Sequence, residues 1–429
     1  MKKAMILLLC LALLTVGCAQ ALPSGVQPAG PATAPADAST PIPAPTPVPA
    51  SYADVLTAIW AAVADNYVFV DETGQIPGVD WQATYDQVAA QIDPAMSEAD
   101  FAAAVRQGLA VLPPGAVVWQ TKADAVADVK ATVGGYEGIG VYVGARGEPS
   151  PSAVILEVVP GSPAETAGLA MHDRILAVDG VDVAADEGMA VVDRIRGPRD
   201  SQTVLLVQSP GAAPREVTVT RSQMSFAQEK RLFSQRLADD TVGYLRFPAG
   251  VHATLGQDFI AQLQELGGPG AVAGLILDLR ISNNSTGWPL MTMLPLFGQG
   301  EMGTAISRKG SAPLSIAPNE GNNLAALPLV LLIGPDTQGT AEIFAAALQA
   351  GGHAILIGLP TQGQVEGMTI HRLPDGSEIF IANSTFRTPD GRDVGIEGIQ
   401  PDMLVAADWG DVSAENDPAI AAALEVLAK

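Results

Sequence analysis

Cysteine is almost missing from this 429-residue chain: only Cys10 and Cys18 occur, both close to the N-terminus. Cleavage between them would leave no pair, so a disulfide framework is excluded and stability must come from packing. Charge is also scarce, at 16% of residues, and positive charge scarcest, with Lys+Arg 23 against Asp+Glu 46. The net charge of −23 repels nucleic acid and anionic lipid head groups, which excludes nucleic acid as a partner. The four histidines, His172, His252, His353 and His371, are scattered and adjoin no nucleophile motif. No metal-ligand spacing is present, so neither a metal nor another cofactor is expected.

What the chain has is apolar substance. Hydrophobic residues make up 48%, which argues for a packed body over most of the length, and 429 residues exceed what one core ordinarily serves. Met1-Lys2-Lys3 followed by the apolar run Ala4 to Leu14 reads as a signal peptide over residues 1–17, because the run is well short of the ~20 residues that cross a bilayer. Gly17-Cys18-Ala19 resembles a bacterial lipobox, with Cys18 as the lipidated first residue and Thr15 where that pattern usually has Leu. An extracytoplasmic protein anchored to the membrane through that lipid is the expectation, two charges more negative once Lys2 and Lys3 are removed. Residues 18–50 are rich in Pro, Ala, Ser and Thr, as in Pro41-Ile42-Pro43-Ala44-Pro45, and predict an extended polyproline stalk.

Helical periodicity begins at Tyr52, with Val55, Ile59, Trp60 and Val63 on one face. A second helix is predicted from Trp81 to Ile92, and a third is introduced by Ser97 and ends before Pro113-Pro114. Residues 51–130 therefore read as a small helical domain. Strand-and-turn character follows over residues 131–222: Gly138-Ile139-Gly140-Val141, a strand through Ala153 to Val159, the short helix Gly161-Ser162-Pro163-Ala164-Glu165-Thr166-Ala167-Gly168, and a strand running into the turn Asp179-Gly180. From residue 223 to 429, strands at Val242, Ala273, Leu329 and Ala354 alternate with helices at Leu255 and Ala341, which predicts an α/β core with a buried, largely parallel sheet.

The order of elements from residue 131 to 222 resembles a PDZ domain. Such a domain adds a peptide as a strand at a sheet edge while a glycine-rich loop offers N–H groups to the terminal carboxylate. Gly138, Ile139, Gly140 and Val141 stand where that loop belongs, because converging N–H groups need backbone angles that a Cβ obstructs. Protein or peptide C-termini are the partners this implies.

Three further segments resemble the carboxyl-terminal processing, or tail-specific, proteases: Gly274-Leu275-Ile276-Leu277-Asp278-Leu279-Arg280, residues Leu327 to Gly352, and Leu373-Pro374-Asp375-Gly376 continuing to Gly398-Ile399-Gln400-Pro401-Asp402. The resemblance implies a crotonase-like (ClpP/crotonase-type) core with an inserted PDZ domain behind an N-terminal helical domain. It also implies a serine nucleophile three residues before a helix-opening glutamate and a lysine general base in a Thr-Phe-Gly-Lys segment. Counting back from Glu342 reaches Gly339, and the second segment reads Thr361-Gln362-Gly363-Gln364, so neither the serine nor the lysine is present.

In dissected serine proteases, loss of either member costs ~10⁶ in turnover, about 8 kcal/mol of barrier. The oxyanion positions would be the amide of Thr340 and a glycine turn now reading Ile281-Ser282-Asn283-Asn284-Ser285-Thr286-Gly287. The hydroxyls of Thr337 and Thr340 flank Gly339 as substitute nucleophiles, set against the reading that they cap the helix. A non-catalytic, peptide- or protein-binding homologue is the expectation, with a peptidase using a displaced nucleophile as the alternative. Glu342 is read as a carboxylate favoured by the helix N-terminus.

Overall fold

The computed structural model describes residues 50–113, 115–125, 136–147, 150–224, 232–250, 254–267, 270–282, 288–318, 324–413 and 415–429. The signal peptide, Cys18, nearly all of the proline-rich stretch and Gly287 lie outside the described residues.

The first helix, Tyr52–Asn66, starts at Ser51, whose hydroxyl accepts the Asp54 amide while the Asp54 carboxylate returns to the Ser51 amide. Helices Trp81–Ala89 and Glu98–Leu109 are capped by Asp80 and Ser97 in the same manner on one side. Their apolar faces bury Leu56, Ile59, Val63, Phe101 and Val105, and the rings of Trp60 and Trp81 stack at 4.9 Å. This core is not closed by helices alone. The strand Val117–Gln120 pairs antiparallel with Gln120 to Val117 facing Glu378 to Ile381, and Ile379 and Ile381 complete the apolar cluster under the helices. Three short helices offer too little facing surface to bury their own stripes, so a sheet from far along the chain covers them.

Glu378–Arg387 is the centre of a five-stranded antiparallel sheet. Val117–Gln120 and Gly300–Ser307 pair with its two halves, Gly310–Ile316 extends the sheet, and Gly367–Arg372 pairs along Glu378 to Ser384. Sequence pattern does not announce this sheet, because its strands are short or half exposed and lack continuous apolar runs.

The buried six-stranded sheet has the order Phe233–Leu237, Val242–Arg246, Gly274–Asp278, Leu329–Ile333, Ile355–Gly358 and Met403–Leu404. The first pair is antiparallel and the remaining pairs are parallel. Alternate side chains separate to opposite faces: Leu275, Leu277 and Leu331 pack with Phe259, Phe297 and Phe344 of the helices Leu255–Glu265, Leu290–Phe297 and Thr340–Ala350. Ile276, Val330 and Leu332 pack on the other face against Ala419 and Ala423 of the helix Pro418–Leu427. Asp278, at the end of a central strand, is fully buried, and Arg280 spans it and Asp417 with both terminal contacts at 2.7 Å. Asp417 also caps the last helix, so this ion triad ties the sheet end to the C-terminus.

A second antiparallel sheet contains Val141–Arg146, Ser152–Val158, Arg174–Val178, Gln202–Gln208 and Arg215–Thr220. Asp179 and Gly180, at φ 51° and 77°, make the tight turn into Val181–Asp182. Tyr136–Gly138 pairs with Ser222–Met224 where the chain enters and leaves this unit.

Candidate functional site

The site is built where three loops meet at the carboxyl ends of the parallel strands. After Leu329–Ile333 the chain turns through residues 334–339 into the helix Thr340–Ala350. Thr337 anchors the turn: its hydroxyl donates to the Leu279 carbonyl at 2.9 Å and accepts the Gly334 amide at 3.0 Å. It is fully buried, with its proton committed to a carbonyl, which makes it a structural hydroxyl held out of a ligand's reach. The Gln338 amide donates to the Ser282 carbonyl at 3.0 Å, joining the turn to the next strand end.

Gly339 follows at φ 62°, ψ −126°, a conformation that disfavours any side chain. Its amide donates to the Gln364 carbonyl at 2.8 Å. The two positions singled out in the sequence, 25 residues apart by their numbering, are thus neighbours. Position 339 offers no nucleophilic atom, and the Gln364 side chain, which donates to Gln362 Oε1 at 3.1 Å, has no group that titrates near neutral pH.

Glu342, in the first turn of the same helix, is completely buried. Its Oε1 accepts the Gly363 amide at 2.9 Å, locking the helix to the Thr361–Gln364 loop, while Oε2 has no hydrogen-bond partner among the described residues. Burial pushes this carboxyl up to about 7, against the pull of the Thr361 hydroxyl and the nearby amides of Gly363, Gln364 and Gly339. The sequence reading of Glu342 as a carboxylate favoured by the helix N-terminus is therefore incomplete: its main role is to hold two loops together inside the core.

A cavity of about 480 Å³ opens beside Gly339. Its walls include Ile343, Val365, Met368, Phe380 and Phe386, with Thr340 at the Gly339 end. Glu366 is its one charged lining residue among the described residues; no lysine or histidine lines it. Lys309 lies in the exposed turn between Gly300–Ser307 and Gly310–Ile316. Glu366 owes its position to the strand that follows the Gln364 loop, and a Cβ built on Gly395 would sit 2.9 Å from its Oε1, so glycine there leaves the carboxylate its space. Burial, with Asp393 nearby, holds Glu366 above the ordinary carboxylate range, and burial with Glu366 alongside pushes the Tyr67 phenol up to about 12.

Gly138, Ile139, Gly140 and Val141 lie together at the end of the second sheet. The Ile139 carbonyl accepts the Ala164 amide and the Gly140 carbonyl the Val159 amide, each at 2.9 Å, which fixes the loop against the short helix Pro163–Thr166. The amides of Ile139 and Gly140 donate to no acceptor among the described residues. Gly140 has φ 85°, and a Cβ on it would lie 2.3 Å from the Ser162 Cβ, so glycine is required twice over.

The strand Val141–Arg146 leads from this loop to the turn that carries Gly339. Arg146 bridges Asp336 at 2.5 Å and Asp408 at 2.9 Å, all three side chains being largely buried. Arg174 reaches Asp408 and Asp411 from the same sheet. Burial raises the Asp336 carboxyl despite Arg146, whereas Asp408, also buried, is held low by Arg146 and Arg174 together. Gly144 permits the approach, since a Cβ there would lie 2.2 Å from Asp336 Oδ1. Neither this contact nor Glu366 was singled out in the sequence; long-range ion pairs have no local signature, and Glu366 is marked there only by being acidic two residues beyond Gln364.

Comparison with known proteins follows the same division. A model of peptidase family S41 matches residues 241–405, and a PDZ-domain model matches residues 154–209. The chain is 31% identical over 310 residues to a carboxyl-terminal-processing protease of Synechocystis sp., the match covering 69% of each chain. A carboxy-terminal processing protease of Bacillus subtilis is 27% identical over 271 residues, covering 62% of this chain and 56% of that one. Among solved structures, the photosystem II D1 C-terminal processing protease is similar with a TM-score of 0.62 at 26% identity, covering 83% of this chain and 93% of that chain.

Proposed function

The chain belongs to peptidase family S41, the carboxyl-terminal-processing proteases, and we propose that it binds protein or peptide C-termini without cleaving them. The observation that carries this reading is the Gly339–Gln364 pair: the two backbones meet at 2.8 Å with neither a hydroxyl nor an amine between them. A serine-type mechanism needs a nucleophile and a base that is neutral near pH 7. The cost of losing one, about 8 kcal/mol, exceeds what positioning and carbonyl polarisation restore. Thr337 is engaged in the core, which leaves Thr340 as the hydroxyl on which a displaced mechanism would depend.

Tail binding is supported by the loop Gly138 to Val141 at the open end of the PDZ sheet, whose Ile139 and Gly140 amides are available to a carboxylate. In the same reading Cys18 carries the lipid, and the Pro/Ala-rich stretch holds the folded body off the outer face of a bacterial membrane. Fractionation checks that part: Cys18→Ala should move the protein from the membrane to the soluble fraction, and unchanged membrane association would count against lipidation.

The binding experiment compares one labelled peptide with a free and an amidated C-terminus by fluorescence anisotropy. Preference for the free carboxylate is expected, and equal or absent binding overturns tail recognition. In parallel, an unfolded tail-bearing substrate is incubated with the protein; cleavage that disappears in Thr340→Ala would replace the binding reading with a peptidase.

A further inference from the structure

We propose that the cavity beside Gly339 is a recognition pocket for a lysine or arginine side chain of a bound peptide, with Glu366 as the residue that selects it. The inference rests on the peptide-binding reading above and names the chemistry of what enters the cleft.

Three observations carry it. Among the described residues, Glu366 is the only charged group lining about 480 Å³ of otherwise apolar and hydroxyl-bearing wall. It forms no ion pair among the described residues, and the charge nearest enough to act on it is Asp393, another acid, itself engaged by Thr385 at 2.9 Å and Arg387 at 3.3 Å. An acid held in partial burial without a counter-ion is costly, and a ligand cation would offset that cost. The wall matches the rest of such a side chain: Ile343, Met368 and Phe380 suit an aliphatic stem, and Glu366 lies among hydroxyls that suit its head.

Second, the strand that supplies Glu366's neighbour Met368 has an unused edge. Gly367–Arg372 pairs with Glu378–Arg387 on one side and with no strand among the described residues on the other. Its Met368 and Ile370 are exposed, at 40% and 54%. An extended peptide added along that edge would present alternate side chains toward the cavity mouth. Third, a protein of net charge −23 draws cationic segments toward it, so long-range steering and the local pocket favour the same ligand.

The test uses the full chain and a set of labelled peptides, identical except that one position at a time carries lysine, norleucine or glutamate. At one position lysine should bind at least tenfold more tightly than norleucine and glutamate more weakly than both, and the lysine advantage should shrink with added salt. Glu366→Gln should bring the lysine-to-norleucine ratio close to one. A second measurement is independent of tail capture: ligand-observed NMR with N-acetyl-lysine amide, which should contact wild type and not Glu366→Gln, the norleucine analogue serving as control.

Equal affinities across the peptide set, or a lysine preference untouched in Glu366→Gln, would overturn the pocket. So would absence of binding by both peptide and blocked lysine. Loss of sensitivity to C-terminal amidation with the lysine preference intact would instead remove tail recognition and leave the pocket standing.

Discussion

Gly339 donates its amide to the carbonyl of Gln364 at 2.8 Å, so two of the loops that leave the parallel sheet are coupled by backbone rather than by side chains. In the reading proposed above, these are the loops that would align a nucleophile with a base. What occupies the space between them is peptide bond and an adjoining pocket.

The first prediction concerns the turn itself. Gly339→Ser places a side chain at φ 62°, ψ −126°, and should lower stability by about 1–3 kcal/mol in urea unfolding. Hydrolysis should stay at background in that variant, because Gln364 cannot take the proton; the pair Gly339→Ser with Gln364→Lys is the variant in which turnover would first rise. Turnover in the serine variant alone would show that another base serves the site.

Glu342 makes stability depend on pH in a direction opposite to a salt-bridged acid. Its folded carboxyl lies at about 7, above the ordinary 4.5, so between those values the unfolded chain has released a proton that the folded one retains. Stability therefore declines as pH rises through that window and levels off above it. Glu342→Gln lacks the titration, so its stability relative to wild type should improve by roughly 3 kcal/mol from pH 4.5 to 7. Urea midpoints of both proteins at pH 5 and pH 8 test the difference, and parallel curves would contradict it.

Arg146 joins the PDZ sheet to the turn before Gly339, and its removal strands two buried acids. Arg146→Ala should cost about 3–5 kcal/mol, with much of the loss recovered when Asp336 is also replaced by Asn. Denaturation of the single and double variants provides the check, and strictly additive losses would show that the two residues are not coupled.

Gly140→Ala brings a Cβ within 2.3 Å of Ser162 in a backbone conformation that resists one. Affinity for a free C-terminus should fall at least tenfold, while peptides with an amidated end change little. Anisotropy titration reads both, and an unaltered preference for the free carboxylate would place tail recognition elsewhere.

Much of the fold was legible because its signals are local. Ser51, Asp80 and Ser97 sit at helix starts, Asp179-Gly180 makes the expected turn, and continuous apolar strands such as Leu329–Ile333 lie in the parallel sheet. The antiparallel sheet around Glu378–Arg387 was not legible, since its strands lack continuous apolar runs and its hairpins are joined across long stretches of chain, as Val117 is to Ile381 and Thr304 to Arg387. For the same reason the N-terminal helices read as a domain of their own although their core is closed by Ile379 and Ile381.

The site divides along the same line. Sequence alone determined that position 339 carries no hydroxyl and position 364 no amine, matters of residue identity that folding cannot change. Tertiary structure decided what the remaining groups do. It commits the Thr337 hydroxyl to Leu279 and Gly334, buries Glu342 between two loops, and leaves Glu366 facing a cavity without a counter-ion among the described residues. Burial and partnership set the chemistry of a hydroxyl or carboxylate, and both arise from contacts between segments that adjacent residues do not specify.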